Sequence, residues 1–216
     1  MLFLQKTVVG VSFGRRFDLI VGFMWPLTKP TQPGLSVTSA SAFGAFIRSL
    51  RSVRFPGSQL PWLFIGMEYV RTNSLQLAQQ CLDYARTLMP TDPRVYNELG
   101  VVAYHKRNYE EAVQLLRHAI GLCSRPDEAV HSNLGHALLK CGQPAAALEA
   151  FRHAMRLEPS SAKAAAGVAF ALQLQGKLDE AINYYHRALN LDRNDVFSAE
   201  MLNYAITEAL DRGNGL

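Results

Sequence analysis

The six histidines are the side chains of this 216-residue chain best suited to hold a metal or pass a proton. His118, His153 and His186 recur at nearly the same place, each beside an arginine and just ahead of an alanine. A metal needs its ligands gathered around one ion. Residues that return once per structural unit lie about one unit apart, too far to share an ion, so the pattern reads as periodicity and no metal is expected. The carboxylates Glu110 and Glu111 stand together at an expected helix start, where the helix dipole favours acids. Cys81, Cys123 and Cys141 form no CxxC pair and are odd in number, which points to free thiols in a reducing compartment. No GxxxxGK phosphate loop, GxGxxG turn or HExxH helix occurs. No catalytic residue, cofactor site or enzymatic activity is expected.

The chemistry left is recognition, and a repeat must position it. Trp62, Leu63, Gly66 and Tyr69 precede Ala78, Leu82, Ala85 and Pro90. Tyr96, Leu99 and Gly100 precede Ala112, Leu116 and Ala119. His131, Leu134 and Gly135 precede Ala147, Phe151, Ala154 and Pro159; Ala165, Val168 and Ala169 precede Ala181, Tyr185 and Ala188. The small residue returns at 66, 100, 135 and 169, in steps of 34, 35 and 34. This is the tetratricopeptide pattern of two antiparallel helices per unit. It predicts an all-α, right-handed superhelical solenoid over 59–210, with units at 59–92, 93–126, 128–161 and 162–195 and a closing helix at 196–210.

Physical reasons support the pattern. Glycine inside a helix costs about 1 kcal/mol relative to alanine. Close approach of the second helix at Gly66, Gly100 and Gly135 offsets that cost, so Gly100→Leu should destabilise by about 1–3 kcal/mol or more. Arg107-Asn108-Tyr109, Cys141-Gly142-Gln143-Pro144 and Gln175-Gly176-Lys177 supply glycine or asparagine for the tight turns between paired helices. Pro90 and Pro159 stop second helices, and Pro93 opens a first helix, where its missing N–H is harmless. Ala164, Ala165 and Ala166 replace bulk with methyl groups, so the fourth unit reads as the weakest.

In such a solenoid the first helix of each unit lines the inner groove. Counting from each unit's start places Met67, Arg71, Arg94, Asn97, Val101, Tyr104, His105, His136, Lys140, Lys163, Phe170 and Gln173 there. Aromatic and basic groups together suit a peptide that carries apolar and acidic groups.

The chain is 49% hydrophobic and 19% charged, in the range of a folded protein. Seven of its 22 basic residues and one of its 18 acids, Asp18, fall in 1–58. That leaves 15 bases against 17 acids in the rest, so the basic balance belongs to the first quarter and no nucleic-acid surface is expected on the repeats. Residues 1–58 carry Pro26, Pro30, Pro33 and Gly34, a Ser/Ala stretch, then Arg48, Arg51 and Arg54, without a helical period. They read as a disordered or non-native extension, with an organelle transit segment as the alternative. The apolar run Leu19–Leu27 is shorter than the roughly 20 residues a membrane span needs, so no membrane partner is expected.

Two blocks are more particular than the repeat. Residues 61–74 read PWLFIGMEYVRTNS, and residues 92–105 read DPRVYNELGVVAYH. With Asn133-Leu134-Gly135-His136 and Ala199-Glu200-Met201-Leu202-Asn203, they resemble the sixth-subunit (cell-division-cycle-16 type) family of the anaphase-promoting complex, its plant or algal members above all, over about 56–207. The resemblance implies a non-catalytic scaffold in a multisubunit ubiquitin ligase of mitosis, located in nucleus and cytoplasm. It also implies stacking against sister repeat subunits and a small accessory subunit held in the inner groove.

The family's homodimer is made by an upstream half. That half is matched here only by Pro56-Gly57, so the homodimer does not carry over. The linker Gly121–Asp127 is shorter than the family's, and residues 1–55 match nothing in it. Three other readings stay open: a repeat adaptor or co-chaperone clamping acidic peptides, partly fitted by Asn97, Lys140 and Lys163; the repeat arm of an enzyme, for which no catalytic span remains; and an organelle-targeted repeat protein.

Overall fold

The computed structural model describes residues 60–213; the expected extension over 1–58 lies outside them. Every regular element among the described residues is an α-helix. They are α1 (Leu60–Arg71), α2 (Leu75–Leu88), α3 (Pro93–His105), α4 (Tyr109–Leu122), α5 (Glu128–Lys140), α6 (Pro144–Leu157), α7 (Ala162–Leu174), α8 (Leu178–Leu191) and α9 (Val196–Gly213). Each odd helix packs on the even helix after it, and each pair packs on the next, as the repeat predicts. A continuous core runs from Ala103 in α3 to Ala205 in α9.

The first helices start on side-chain caps. Asp92 accepts from the Arg94 N–H at 3.0 Å, Asp127 from Ala129 at 2.9 Å and Ser161 from Ala164 at 3.2 Å. A short acceptor just before the helix satisfies an N–H that has no intrahelical partner. The Ser161 hydroxyl also donates to Glu128 Oε1 at 2.9 Å, which ties α7 to α5.

The four turns inside the pairs each place one residue in left-handed backbone: Asn73, Arg107, Gly142 and Gly176, with φ of 57°, 64°, 71° and 76°. In the second turn Arg107 takes this conformation. The expected Asn108 instead precedes α4, and its amide donates to Glu111 Oε2 at 2.6 Å. The turn register repeats more strictly than the residue type, and an arginine is held where glycine costs least.

The glycines mark where paired helices meet. A Cβ built on Gly66 would lie 2.7 Å from Leu82, and one on Gly100 would lie 2.7 Å from Leu116. Phe151 fills the same place beside Gly135, and its ring also lies against Gly167 of the next first helix, where a Cβ would be 2.4 Å away. The alanine run therefore does not weaken the fourth unit in the way expected. Nine of the 13 residues of α7 are buried, because Phe151 from α6 and Tyr185 from α8, both fully buried, supply the bulk.

Candidate functional site

The first helices present rows of equivalent side chains. One residue past the small position stand Met67, Val101, His136 and Phe170, and α9 continues the row with Tyr204. Another row holds Arg71, His105, Lys140 and Leu174, and a third holds Arg94, Lys163 and Phe197. Val101, Tyr104, His105 and His136 meet around a hollow of about 280 Å³, with Gly100 and Leu116 at its base and Asn133 at its side. The hollow is lined from α3, α4 and α5, with Leu116 packed against Gly100. Tyr104 is held edge-on against Tyr109 at 5.5 Å, and the His136 ring packs edge-on against Phe151 at 4.9 Å.

Several expected groove residues are already engaged. Asn97 donates to Glu98 Oε1 and accepts from Asn133, both at 3.0 Å, so its amide bridges α3 to α5 beside the hollow. Burial raises the Glu98 carboxyl above its usual range, against the lowering effect of that amide. Arg94 grips the cap carboxylate of Asp92 at 3.0 and 2.7 Å. Arg71 grips Glu68, with Nε at 3.0 Å from Oε2.

Gln173 departs from expectation altogether. It is 7% exposed, and its Oε1 accepts from the buried Tyr185 hydroxyl at 2.7 Å. The larger side chain of the fourth unit needs a buried polar partner, and Gln173 supplies it.

Lys140 and Lys163 are exposed and pair with no carboxylate among the described residues. They flank His136. Desolvation lowers the basicity of its imidazole first, and the two lysines lower it further. Met67 is 41% exposed, while Phe170 is half-buried with its ring 5.7 Å from that of Phe197. Phe197, Tyr204 and Asn133 were not anticipated. Phe197 and Tyr204 stand 34 residues after Lys163 and Phe170, so extending the count into the closing helix finds them.

His118, His131 and His153 serve packing. His118 lies edge-on to Tyr96 at 4.4 Å, and His131 stacks on His153 at 4.0 Å. They occupy the place where the first unit pairs Trp62 with Tyr84. Burial pushes the Cys81 thiol up to about 12, which leaves it poorly nucleophilic. Among the described residues no three His, Cys, Asp or Glu gather as metal ligands, and no helix is long and apolar enough to cross a membrane.

Two tetratricopeptide-repeat profiles match residues 65–125 and 124–202. The chain belongs to the tetratricopeptide-repeat family. Within it, the chain is similar to anaphase-promoting complex subunit 6 of Arabidopsis thaliana, at 42% identity over 163 residues, covering 74% of this chain and 30% of the relative. It is similar to the human cell division cycle protein 16 homolog at 35% identity, covering 69% of this chain and 26% of the relative. Among solved structures, that of the complex's hetero-tetramer Cut9-Hcn1 superimposes with a TM-score of 0.68 at 28% identity, covering 76% of this chain and 32% of that one. The resemblance read from the two sequence blocks is therefore shown, with a plant relative among the matches. The chain spans less than a third of the length of these relatives.

Proposed function

We propose that this repeat protein, with its array at 59–210, is a non-catalytic scaffold subunit of the anaphase-promoting complex, a ubiquitin ligase of the cell cycle. It acts in nucleus and cytoplasm and holds a small accessory subunit in its inner groove while stacking on other subunits. The observation that carries this reading is the 42% identity over 163 residues to the plant subunit 6. The groove supports it, because it offers a recognition surface of aromatic, histidine and lysine side chains rather than an activated nucleophile. The adaptor reading keeps Lys140 and Lys163, which pair with no carboxylate among the described residues, but not Asn97, whose amide is committed to Glu98 and Asn133.

The test is affinity purification of the tagged full chain from dividing cells, with mass spectrometry of what it retains. Recovery of ligase subunits is the expected result. Recovery of chaperones alone would overturn the scaffold reading in favour of the adaptor.

A further inference from the structure

The closing helix α9 breaks a pattern that the helix pairs keep. In the first three pairs one face of the first helix is covered by the second: Leu82 lies against Gly66, Leu116 against Gly100 and Phe151 against Gly135. One turn earlier, Tyr84 meets Trp62, His118 meets Tyr96 and His153 meets His131. In α7 the same positions, Ala165, Ala169 and Leu172, are fully buried. A step of 34 from these three reaches Ala199, Asn203 and Ile206 of α9. All three are exposed, and no second helix lies over them among the described residues. α9 packs on α8 and α7, and it buries Ser198, Leu202 and Ala205 instead. Val196, 67% exposed, and Leu210, 61% exposed, extend the open face at its two ends. Val196, Ala199, Asn203, Ile206 and Leu210 are spaced by three, four, three and four residues. That spacing sets them on one side of a helix and is the spacing of a helix-to-helix seam.

The centre of the seam decides what can cover it. Where the first three pairs have glycine, Leu82, Leu116 and Phe151 stand 2.7 Å from the place of a Cβ. Asn203 has a side chain there. An ordinary second helix, with its large apolar residue at that point, would clash with the amide and leave it unpaired. A fitting helix brings a polar group to Asn203 and apolar groups to both ends. α9 itself meets those terms. Laid end for end on a second α9, Asn203 comes beside the partner's Asn203, and an amide both donates and accepts. Ala199 then faces the partner's Ile206 and Leu210, so small meets large on both sides of the centre. Laid in the same direction, Ala199 would meet only alanine and leave a gap. We propose that α9 pairs end for end with α9 of a second copy of this chain, in a two-fold dimer with Asn203 at its centre. A lone asparagine in an apolar seam fixes register and the number of helices in this way. This surface is neither the inner groove nor the upstream half to which the resemblance assigns the family's homodimer, and it does not depend on the scaffold reading.

The test is sedimentation equilibrium of the full chain. Five side chains per copy make a small interface, so a dimer is expected to form at roughly 1–100 μM. Leu210→Asp should weaken it by about tenfold or more and leave the melting temperature of the dilute, monomeric chain unchanged. Asn203→Asp and Asn203→Lys should each lose self-pairing, and their mixture should regain it as a heterodimer. Two unfolded variants cannot restore each other. Direction is read by crosslinking, since Val196 and Leu210 lie about 21 Å apart along the helix. A short bismaleimide should link Val196→Cys to Leu210→Cys in a mixture of the two, seen by mass spectrometry of the linked peptides, and should not link either variant to itself. A chain that stays monomeric through that range overturns the proposal, as does a dimer that Leu210→Asp and the Asn203 variants leave intact. Linkage of Val196→Cys to itself overturns the end-for-end pairing. Recovery of ligase subunits tests the scaffold reading separately, and either reading stands if the other fails.

Discussion

In the first two repeats the space beside the glycine is filled from within the repeat, by Leu82 against Gly66 and Leu116 against Gly100. In the third it is filled both within the repeat and across the boundary, since Phe151 lies against Gly135 and reaches Gly167 of the next repeat. In the fourth, Tyr185 reaches from α8 into α7 of the same repeat to find Gln173. The aromatic position changes in step: Trp62 and Tyr96 give way to His131 and then Ala165. Bulk has moved from first helices to second helices. A repeat conserves volume at each junction rather than residue type at each position, and at Phe151 that volume is shared between two repeats.

The largest test of that contrast is Phe151→Ala against Leu116→Ala. Losing a buried phenylalanine costs about 3–5 kcal/mol and a leucine about 2–5 kcal/mol. The Phe151 cavity opens between two glycines that have no side chain to relax into it. Its urea midpoint, followed by far-UV circular dichroism, should fall further than that of Leu116→Ala. Equal losses would break the distinction between the two halves.

Overpacking comes next. Gly167→Ala sets a Cβ 2.4 Å from a ring that already abuts Gly135, at a cost of about 1–3 kcal/mol. Gly100→Leu should cost at least as much, by displacing Leu116. The halves differ in their rescue. Gly167→Ala combined with Phe151→Leu should recover part of the loss, since residues in contact are not additive. Strict additivity of the two changes in thermal or chemical denaturation would sink the cross-boundary account.

Tyr185→Phe tests the polar side of the same exchange. It strands the buried Gln173 oxygen and should cost about 1–3 kcal/mol, whereas adding Gln173→Leu should return much of it. Peptide binding should not respond to Gln173→Leu beyond that change in stability. A loss of affinity with unchanged stability would restore Gln173 to the groove.

Helix pairs and their register were legible in the chain because small residues at fixed spacing have one economical use, close helix contact. The hollow was legible for the same reason: Val101, Tyr104, His105 and His136 follow from counting along first helices. What counting misses is whether a polar side chain is already spoken for. Arg94 faces the cap it steadies, and Gln173 turns inward because a tyrosine 12 residues later needs an acceptor. Gly167 was likewise hidden, since it answers a phenylalanine in another repeat and breaks no rule of its own. Local spacing reports the backbone, while side-chain commitments depend on pairs that only the fold brings together.

The smallest effect is the most specific to the later half. His131 stacks on His153 at 4.0 Å where earlier repeats use Trp or Tyr, and His153 Nδ1 is buried without a hydrogen-bond partner among the described residues. Burial lowers the basicity of His131 below the ordinary value of 6.5; His153 and Arg156 add to this, and Asp127 opposes it. The unfolded chain therefore binds a proton that the folded chain resists, so stability falls as pH drops through about 6.5 and changes little above it. His136, lowered in the same direction, contributes a share. His131→Tyr, which restores the residue type of Tyr96, should flatten the decline in melting temperature between pH 7.5 and 6 (about 1.5 units spanning the histidine range) without abolishing it, while Tyr96→His should steepen it. An unchanged profile in His131→Tyr would mean that the stacked pair tolerates a proton, and that histidine in this repeat is a packing substitute with no acid–base consequence.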